Sequence, residues 1–338
     1  MKYSGIGGQA VIEGIMMMKG EDYAVAVRRP DKEIEVKKDT YQSITKKAKI
    51  LQLPFVRGVF RFADSMIIGM RSLTYSASFF EDDEDAEPGK FEQFLDRVFG
   101  EKLESAIMAA VLVISFILAI GIFMLLPLGI ANLFKGVITS DHLMAVLEGV
   151  IRIAIFIIYI KLVSRMEDIR RTFMYHGAEH KCINCVEHGH PLTVKYVRES
   201  SKEHKRCGTS FILIVMVISI LMFMVIRVDT IWMRILSRII LVPVIAGISY
   251  EVLQCAGRSN SKFMDLVSRP GMWMQGLTTK EPDDSMIEVA IAATEAVFDW
   301  REYLTENFPG WEKHASRFFP SNNSCRMAGR LFEASGLL

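Results

Sequence analysis

The chain has 338 residues, of which 51% are hydrophobic and 23% charged, with a formal net charge of +1. The mean hydropathy of +0.25 is too high for an ordinary water-soluble domain, and the charged fraction is too large for a chain buried in lipid throughout. The near-neutral charge gives no argument for a nucleic-acid partner, and five cysteines in a chain of this length are expected to be reduced thiols.

Residues 1–55 are predicted to form a small β-rich cytoplasmic subdomain. The segments "QAVIEGIMMM", "YAVAVRR" and "KEIEVKK" are rich in Val and Ile, and Gly20 and the Pro30–Asp31 pair separate them, which is typical of an antiparallel sheet. The N-terminus has no basic region followed by a continuous apolar run, so we expect no cleaved signal peptide.

Residues 56–80 have apolar side chains at helical spacing, with arginines interleaved among them. This pattern predicts a helix that lies at the membrane surface, with Arg57 at the lipid headgroups. Residues 81–90, "EDDEDAEPGK", form an acidic block that is interpreted as a solvated linker rather than a metal site.

Residues 91–256 are predicted to form the membrane domain. The run from Ser105 to Phe134 carries no charge and exceeds the roughly 20 residues that a helix needs to cross a bilayer. Pro127, near the end of this run, is expected to kink or end the helix. The predicted spans lie near residues 105–134, 143–163, 207–226 and 231–253.

Loop charges predict the orientation. Ten Lys and Arg residues lie between Lys161 and Arg206, whereas the connections near 135–142 and 227–230 carry one basic residue each. Under the positive-inside rule the loop 164–206 and both termini are cytoplasmic, so we expect a multi-pass protein of the bacterial cytoplasmic membrane. Residues 257–307 are predicted to form a cytoplasmic turn-rich loop and then a helix from about Ser285 to Thr305, with Asp283 or Asp284 as its N-cap, and residues 308–338 a poorly ordered tail.

The predicted fold class is therefore an α+β membrane protein: a four-helix transmembrane bundle with a small N-terminal β-rich subdomain and interfacial helices. Glu148, Arg152 and Arg238 fall inside predicted spans at similar depths. Charges in a membrane should pair or face water, and an ion pair between Arg238 and Glu148 is the preferred interpretation. A polar substrate path through the bundle is the alternative.

The stretch "YHGAEHK" carries the clearest chemistry. His176, Glu179 and His180 match the H-x-x-E-H pattern, in which both imidazoles bind zinc and the glutamate removes a proton from a water molecule. Histidines four residues apart lie on one face of a helix. The same residues could also be solvated side chains in a basic loop, or a helix cap.

Further ligand candidates lie near the predicted inner ends of the spans. His204 and Cys207 directly precede the third span, and Glu251 lies near the inner end of the fourth. Because a catalytic zinc ion usually has three protein ligands, we expect one of these groups to complete the site at the cytoplasmic membrane surface. A competing possibility is a closed structural zinc site built from Cys182 and Cys185 together with His180, His204 or Cys207.

The motifs "GGQAVIEGIMMM", "PFVRG", "YHGAEHK", "RCGTSF", "SYEVLQ" and "PGMWMQGLTTKEPDDSMIEVAI" together resemble the YqhQ-like family of bacterial membrane proteins of unknown function (DUF1385), labelled predicted metal-dependent enzymes. The resemblance runs from about Gly5 to Ala296. It implies functional positions that match the family pattern, which are Glu13, Arg57, His176, Glu179, His180, His204, Cys207 and Glu251. Cys182 and Cys185 are outside that pattern, which argues against the structural zinc site.

The first hypothesis is a peptidase-like zinc hydrolase at the cytoplasmic membrane face, with Glu179, Glu13 and Arg57 as catalytic candidates. Its substrates would come from the membrane surface, either a membrane protein or peptide or a lipid headgroup, by analogy with other enzymes that carry the motif. The second hypothesis is a membrane scaffold or quality-control partner with a structural metal. The third is a small transporter that uses the charges within the spans.

Overall fold

A computed structural model of the chain describes residues 2–80, 103–204, 206–226, 230–258, 261–309 and 311. The fold is α+β, with an N-terminal antiparallel sheet followed by helices. The predicted acidic linker at 81–90 lies outside the described residues, and so does nearly all of the predicted tail.

The N-terminal sheet has four strands in the order β1-β2-β3-β4. The strands are β1 (Ile6–Val11), β2 (Gly14–Lys19), β3 (Asp22–Arg28) and β4 (Ile34–Thr40), and each is antiparallel to the next. The turns between them use left-handed backbone conformations at Glu13 (φ 48°) and Gly20 (φ 69°). The predicted antiparallel sheet is therefore confirmed.

Both faces of the sheet are covered at β2 and β3, because these strands are continuous apolar runs whose side chains point alternately to the two faces. Ile15, Met17 and Ala26 belong to a core with the helices that follow the second span, and Met16 and Val25 belong to a second core with Ile68. The residues of β3 between its ends are accordingly all buried.

The helices are named in chain order. They are α1 (Val56–Ala77), α2 (Leu103–Ile120), α3 (Leu126–Asn132), α4 (Asp141–Val163), α5 (Glu167–Glu187), α6 (Val194–Glu199), α7 (Gly208–Val225), α8 (Ile231–Arg258), α9 (Lys262–Thr278), α10 (Asp284–Val297) and α11 (Trp300–Asn307).

Among the described residues, four segments are long and apolar enough to cross a membrane. They are Val113–Asn132, which joins α2 to α3, Asp141–Val163, Gly208–Val225 and Ile239–Ala256. These segments lie in the regions predicted to span the bilayer, and they indicate a membrane protein.

The first apolar segment continues past Pro127, but the helix is irregular just before this residue. A π-helical turn, Gly121–Leu125, precedes it, and α3 then continues to Asn132. Proline has no N–H to donate to the carbonyl four residues earlier, which is that of Phe123. The guanidinium of Arg152 in α4 donates to this carbonyl instead, over 3.1 Å.

Arg152 also forms an ion pair with Glu148, one turn earlier in α4, at 2.6 Å. Both side chains are largely buried, and Arg152 donates a further hydrogen bond to Ser219 of α7. The preferred sequence interpretation paired Glu148 with Arg238. The side chain of Arg238 lies outside the described residues, so that pairing stays a prediction.

The region after the fourth span differs from expectation. The predicted turn-rich loop "RPGMWMQGLTTKEPDD" is largely helical, because α9 extends to Thr278 with Pro270 inside it. Gly271 allows α9 to lie directly against Ser210 of α7, and this packing outweighs the local preference of Pro and Gly for turns. The predicted helix from about Ser285 to Thr305 is two helices, since Asp299 caps α11 after a break at Phe298; Asp283 caps α10.

Candidate metal centre

The helix α5 carries the H-x-x-E-H motif within the predicted loop 164–206. The rings of His176 and His180 lie one turn apart with their centroids 4.4 Å from each other. Gly177 lies between them on the helix, and a Cβ atom at this position would clash with the carbonyl oxygen of Lys280. Glycine is therefore required where the chain following α9 crosses α5.

Backbone carbonyls orient both imidazoles. Nδ1 of His176 lies 3.0 Å from the carbonyl oxygen of Thr278, and Nδ1 of His180 lies 2.7 Å from that of Lys202. Because a carbonyl oxygen can only accept, each Nδ1 carries the proton and each Nε2 offers a lone pair. Such partners for the second ring nitrogen are the usual support of histidine ligands to metals.

Cys207 completes a group of three potential ligands. It is the N-cap of α7, where its Sγ accepts a hydrogen bond from the N–H of Thr209. This sulfur lies 3.2 Å from Nε2 of His176. One ligand atom each from His176, His180 and Cys207 lie within 4.8 Å of one another, so these three residues could hold a single ion.

The segment that leads into Cys207 is held in place by buried polar side chains of α5. Nζ of Lys181 donates to the carbonyls of Arg198 and Ser200 at 2.7 and 3.0 Å. The amide nitrogen of Asn184 donates to the carbonyls of Ser201 and Glu203 at 2.7 and 2.8 Å. Sequence reasoning did not identify these roles, although a lysine and an asparagine beside an otherwise apolar helix face were visible signals.

Gln275 of α9 holds the same segment from the other side. Its amide accepts from the N–H of His204 at 2.8 Å and donates to the carbonyl of the same residue at 2.7 Å. Residues 198–204 are thus clamped between α5 and α9. Gln275 was also not predicted, because only the tertiary structure places α9 beside this segment.

His204 lies beside the group without joining it. Its ring centroid is 5.7 Å from that of His180, and its Nε2 is 3.6 Å from a carboxylate oxygen of Glu187. Burial lowers the pKa of His204 despite the opposing effect of Glu187. Burial alone would raise the pKa of Glu187, but contacts with His204, Ser4 and Arg206 bring it to about 2.

Glu179 is buried on an adjacent side of α5, against β1. Gly8 makes room for it, since a Cβ at that position would come within 2.9 Å of its Cγ. Burial raises the pKa of Glu179, while the nearby His176 and the N–H of Gly8 oppose the shift.

Glu13 has a different partner. Its carboxylate forms two hydrogen bonds of 2.5 Å with the guanidinium of Arg171, near the start of α5, and accepts a third from Tyr175 at 3.3 Å. These bonds attach the β1–β2 turn to α5. Glu13 is not a member of the group of metal-ligand candidates among the described residues.

Glu251 is also separate from that group. Its carboxylate accepts two hydrogen bonds from Arg57, at 2.7 and 2.6 Å, in a pocket of about 460 Å³ between the start of α1 and the end of α8. The side chain of Glu251 reaches toward α1 and not toward His176 and His180, so its role as a third ligand stays a prediction that this geometry does not support. Arg57 pairs with Glu251 and retains partial exposure.

The cysteines of the C-x-x-C pair are core residues. Cys182 and Cys185 are fully buried, and no group of metal-ligand candidates among the described residues includes either. Burial raises the pKa of Cys185 to about 12 and that of Cys182 well above its ordinary value. Because neither cysteine belongs to that group, the structural zinc alternative has no support among the described residues.

The donor set His176, His180 and Cys207 fits zinc. Imidazole nitrogen and thiolate sulfur are its preferred ligands, and catalytic zinc sites typically use three protein ligands and keep one position open. Oriented Nδ1 atoms and a sulfur at a helix N-terminus are consistent with a prepared site.

Comparison with known proteins gives a family without a described activity. The family described as "Protein of unknown function (DUF1385)" matches residues 53–300 of the chain. The chain is 34% identical to the "Uncharacterized protein YqhQ" of Bacillus subtilis (strain 168) over 286 residues, which are 84% of this chain and 89% of the relative. No solved structure matches the chain.

Proposed function

The chain belongs to the family of proteins of unknown function DUF1385, and we propose that it is a membrane-bound zinc hydrolase whose metal is held by His176, His180 and Cys207. The observation that carries the proposal is the convergence of three ligand atoms within 4.8 Å, together with a backbone carbonyl on Nδ1 of each histidine. Two oriented imidazoles and a thiol from sequence-distant elements form the kind of donor set that zinc prefers, which supports the proposal.

When bound, zinc supplies Lewis acidity and lowers the pKa of a water ligand to about 7. The residues of the chain prepare that chemistry. The carbonyls of Thr278 and Lys202 hold the two imidazoles in the ligating tautomer, and Glu179 is assigned the role of proton acceptor by its place in the motif. Cys207 replaces Glu251 and His204 as the preferred third ligand.

The apolar helices are proposed to form a four-helix bundle, with the metal centre and both termini on the cytoplasmic side. The ten basic residues between Lys161 and Arg206 support this orientation through the positive-inside rule. Because Cys207 directly precedes the apolar helix α7, the metal centre belongs at the boundary between membrane and cytoplasm. α1, with exposed Phe62, Met66 and Met70, is proposed to lie along that boundary.

A site at this boundary takes substrates from the membrane. The proposed substrate is a membrane protein or peptide, by analogy with other H-x-x-E-H enzymes, and a lipid headgroup is the second class. No nucleic acid is expected, since the net charge of +1 provides no extensive basic surface.

Metal analysis of the purified full-length protein tests the site. We expect one zinc per chain in the wild type and loss of most of it in His176→Ala, His180→Ala and Cys207→Ser. The matched controls are His190→Ala, whose ring stacks on Tyr196, and Cys185→Ser, whose thiol contacts the Pro191 carbonyl; both should retain zinc. Equal metal content in all five variants, or none in the wild type, would contradict the proposal.

Turnover is tested with Glu179→Gln, which keeps the metal ligands. Cells lacking their own copy of the gene would express either the wild type or the variant, and membrane peptides and lipids would be compared by mass spectrometry. We expect an uncleaved species to accumulate with the variant. Identical profiles from two proteins with equal zinc content would exclude hydrolysis that depends on Glu179.

A structural metal is the second candidate, and the burial of His180 and Cys207 favours it. In that case the metal would fasten the segment 198–204 to α5 and α7 in a scaffold protein. Removal of the metal by a chelator would then lower the melting temperature strongly, and the Glu179→Gln variant would complement a deletion strain fully. If the protein is a hydrolase, the Glu179→Gln variant should fail to complement the deletion strain.

A further inference from the structure

A second polar site lies apart from the candidate metal centre, where α1 begins and α8 ends. The pocket of about 460 Å³ has walls from three helices: Arg57 from α1, Glu251 and Cys255 from α8, and Phe263 and Met264 from α9. The pocket carries the Arg57–Glu251 ion pair and the polar side chains of Gln254 and Ser261, while Phe263 and Met264 give it an apolar part. This combination of a polar part and an apolar part is typical of a site for an amphiphile.

The position of the pocket along α8 identifies its surroundings. Glu251 lies five residues before the end of the apolar segment Ile239–Ala256 (256 minus 251), which at 1.5 Å per residue is about 8 Å. For a helix that crosses a bilayer, this position lies toward one end of the span, and a side chain as long as that of Arg57 can reach from there to the headgroups. Phe263, at the mouth of the pocket, is 69% exposed, and Phe55 nearby is 55% exposed. Large aromatic side chains with so much free surface suit contact with lipid rather than water.

The charges of the pocket select the kind of headgroup. Nε and Nη2 of Arg57 donate to the two oxygens of Glu251, so the polar end carries one positive and one negative group in contact. A headgroup with both a phosphate and an ammonium group complements this pair, with each charge facing its opposite. A purely anionic headgroup would compete with Glu251 for Arg57 and would leave the carboxylate facing a like charge.

The backbone around the pocket is closely packed, which prepares its shape before a ligand arrives. Phe55 has a left-handed conformation (φ 67°), and its N–H donates to Glu251 at 3.3 Å. Gly58 of α1 faces Tyr250 so closely that a Cβ atom would lie 2.7 Å from the tyrosine Cβ, and Gly247 similarly admits the Phe55 carbonyl. A left-handed conformation at a non-glycine residue is maintained only where surrounding contacts compensate for its cost.

From this geometry we propose that the pocket binds a zwitterionic phospholipid of the surrounding membrane. The phosphate lies on Arg57, the ammonium group lies near Glu251, and an acyl chain lies against Phe263 and Met264. The proposal concerns a site separate from the metal centre and does not depend on hydrolase activity.

Cys255 provides a direct reporter, because it is exposed and lines the pocket, whereas Cys182, Cys185 and Cys207 are buried. Cys325, outside the described residues, would be replaced by serine. The full-length protein in detergent would be labelled with a maleimide in the presence of dioleoylphosphatidylethanolamine. If this lipid occupies the pocket in about 80% of the molecules, only about a fifth have a free Cys255, so labelling should be about fivefold slower. Dioleoylphosphatidylglycerol, diacylglycerol and glycerophosphoethanolamine are the comparison ligands, and each should slow labelling less than twofold.

Two pocket variants and one control make the test specific. Arg57→Ala/Glu251→Ala removes both charges together, so that neither remains buried alone, and it should abolish the protection. Met264→Trp fills the apolar part, leaves the ion pair intact, and should also abolish the protection relative to its own rate without lipid. Arg61→Ala changes an exposed arginine one turn along α1 and should behave as the wild type.

Several results would overturn the proposal: no protection by phosphatidylethanolamine, equal protection by any of the three comparison ligands, or full protection in Met264→Trp. If the double variant fails to fold, Met264→Trp decides alone. Zinc content should be unchanged in Met264→Trp, so failure of this proposal and failure of the proposed metal site are distinguishable.

Discussion

The metal-centre region around α5 and the apolar spans both contain buried polar groups, but their surroundings differ. From Gly177 to Glu187 every residue of α5 is buried, and Lys181 and Asn184 donate to backbone carbonyls of the chain itself. In the most apolar part of each of the four apolar segments, only 11% to 22% of the residues are buried. The first region is therefore complete as a protein core, whereas the apolar segments present surface that the described chain does not cover, as expected of helices in a membrane.

The two regions also supply partners differently. Around α5, the two histidines, Lys181 and Asn184 contact backbone carbonyls of sequence-distant segments that folding brings there. In the spans irregular segments cannot face lipid, and Arg152 instead uses a carbonyl that Pro127 has released from a helix. We therefore expect the loss of an ion-pair partner to reduce the free energy of unfolding most in the apolar segments. Changes around α5 should affect both the stability of the fold and its affinity for the metal.

The largest effect is expected for Arg152→Met. The variant deprives Glu148 of its ion-pair partner in α4 and the Phe123 carbonyl of its donor, so we expect a loss of about 3–5 kcal/mol in the free energy of unfolding. This loss of stability is measured as a fall in the melting temperature of the protein in detergent. The double variant Glu148→Gln/Arg152→Met should recover part of the loss, and a double variant less stable than the single one would contradict this account.

Gly177→Ala is expected to reduce both the stability of the fold and the binding of zinc. The new methyl group must displace the Lys280 carbonyl, and with it Thr278, the partner of His176. Overpacking of this kind costs about 1–3 kcal/mol and should also reduce bound zinc. The control is Gly276→Ala in α9, where a Cβ meets nothing within 4 Å. In Gly177→Ala, the melting temperature and the zinc content should both fall. In Gly276→Ala, both should stay at the wild-type values.

Glu187→Gln should change the acid stability of the same region. The folded-state pKa of Glu187 is about 2, below its ordinary value of 4.5, so the ionised form stabilises the fold above pH 4.5. This contribution, about 3 kcal/mol from the pKa difference, is lost as the pH falls from 4.5 to 2. The variant should be less stable at pH 7 and should show a smaller drop over that interval. Parallel stability curves for the two proteins would show that Glu187 contributes nothing through its charge.

Asn184→Ala is expected to have a small effect on stability and a measurable effect on zinc affinity. Alanine cannot donate to the carbonyls of Ser201 and Glu203, so the segment that leads to Cys207 becomes less constrained. Loss of such support lowers metal affinity about 10–100-fold. Competition with a chromophoric chelator measures the affinity. Asn307→Ala, which removes an amide that also donates to a carbonyl but lies in α11, should leave the zinc affinity unchanged.

Much of the fold is predictable from local patterns. The Val- and Ile-rich segments separated by Gly20 and the Pro30–Asp31 pair indicated the sheet, and the uncharged run from Ser105 to Phe134 indicated a span, because these signals depend only on local residue types. The helix α9 was not predictable, since Pro270 and Gly271 favour a turn locally and helix formation depends on packing against α7. The break at Phe298 likewise follows from the cap that Asp299 provides.

The sequence by itself determined which chemistry is available: His176 and His180 one helical turn apart, a cysteine at the start of an apolar helix, and charges that must be paired within a membrane. The tertiary structure decided which groups meet. Cys207 lies beside the histidines because α5 and α9 clamp the segment before it, while Glu251 pairs with Arg57 because glycines let α1 and α8 approach closely. Contacts between residues tens or hundreds of positions apart depend on packing, and no local pattern of residues encodes them.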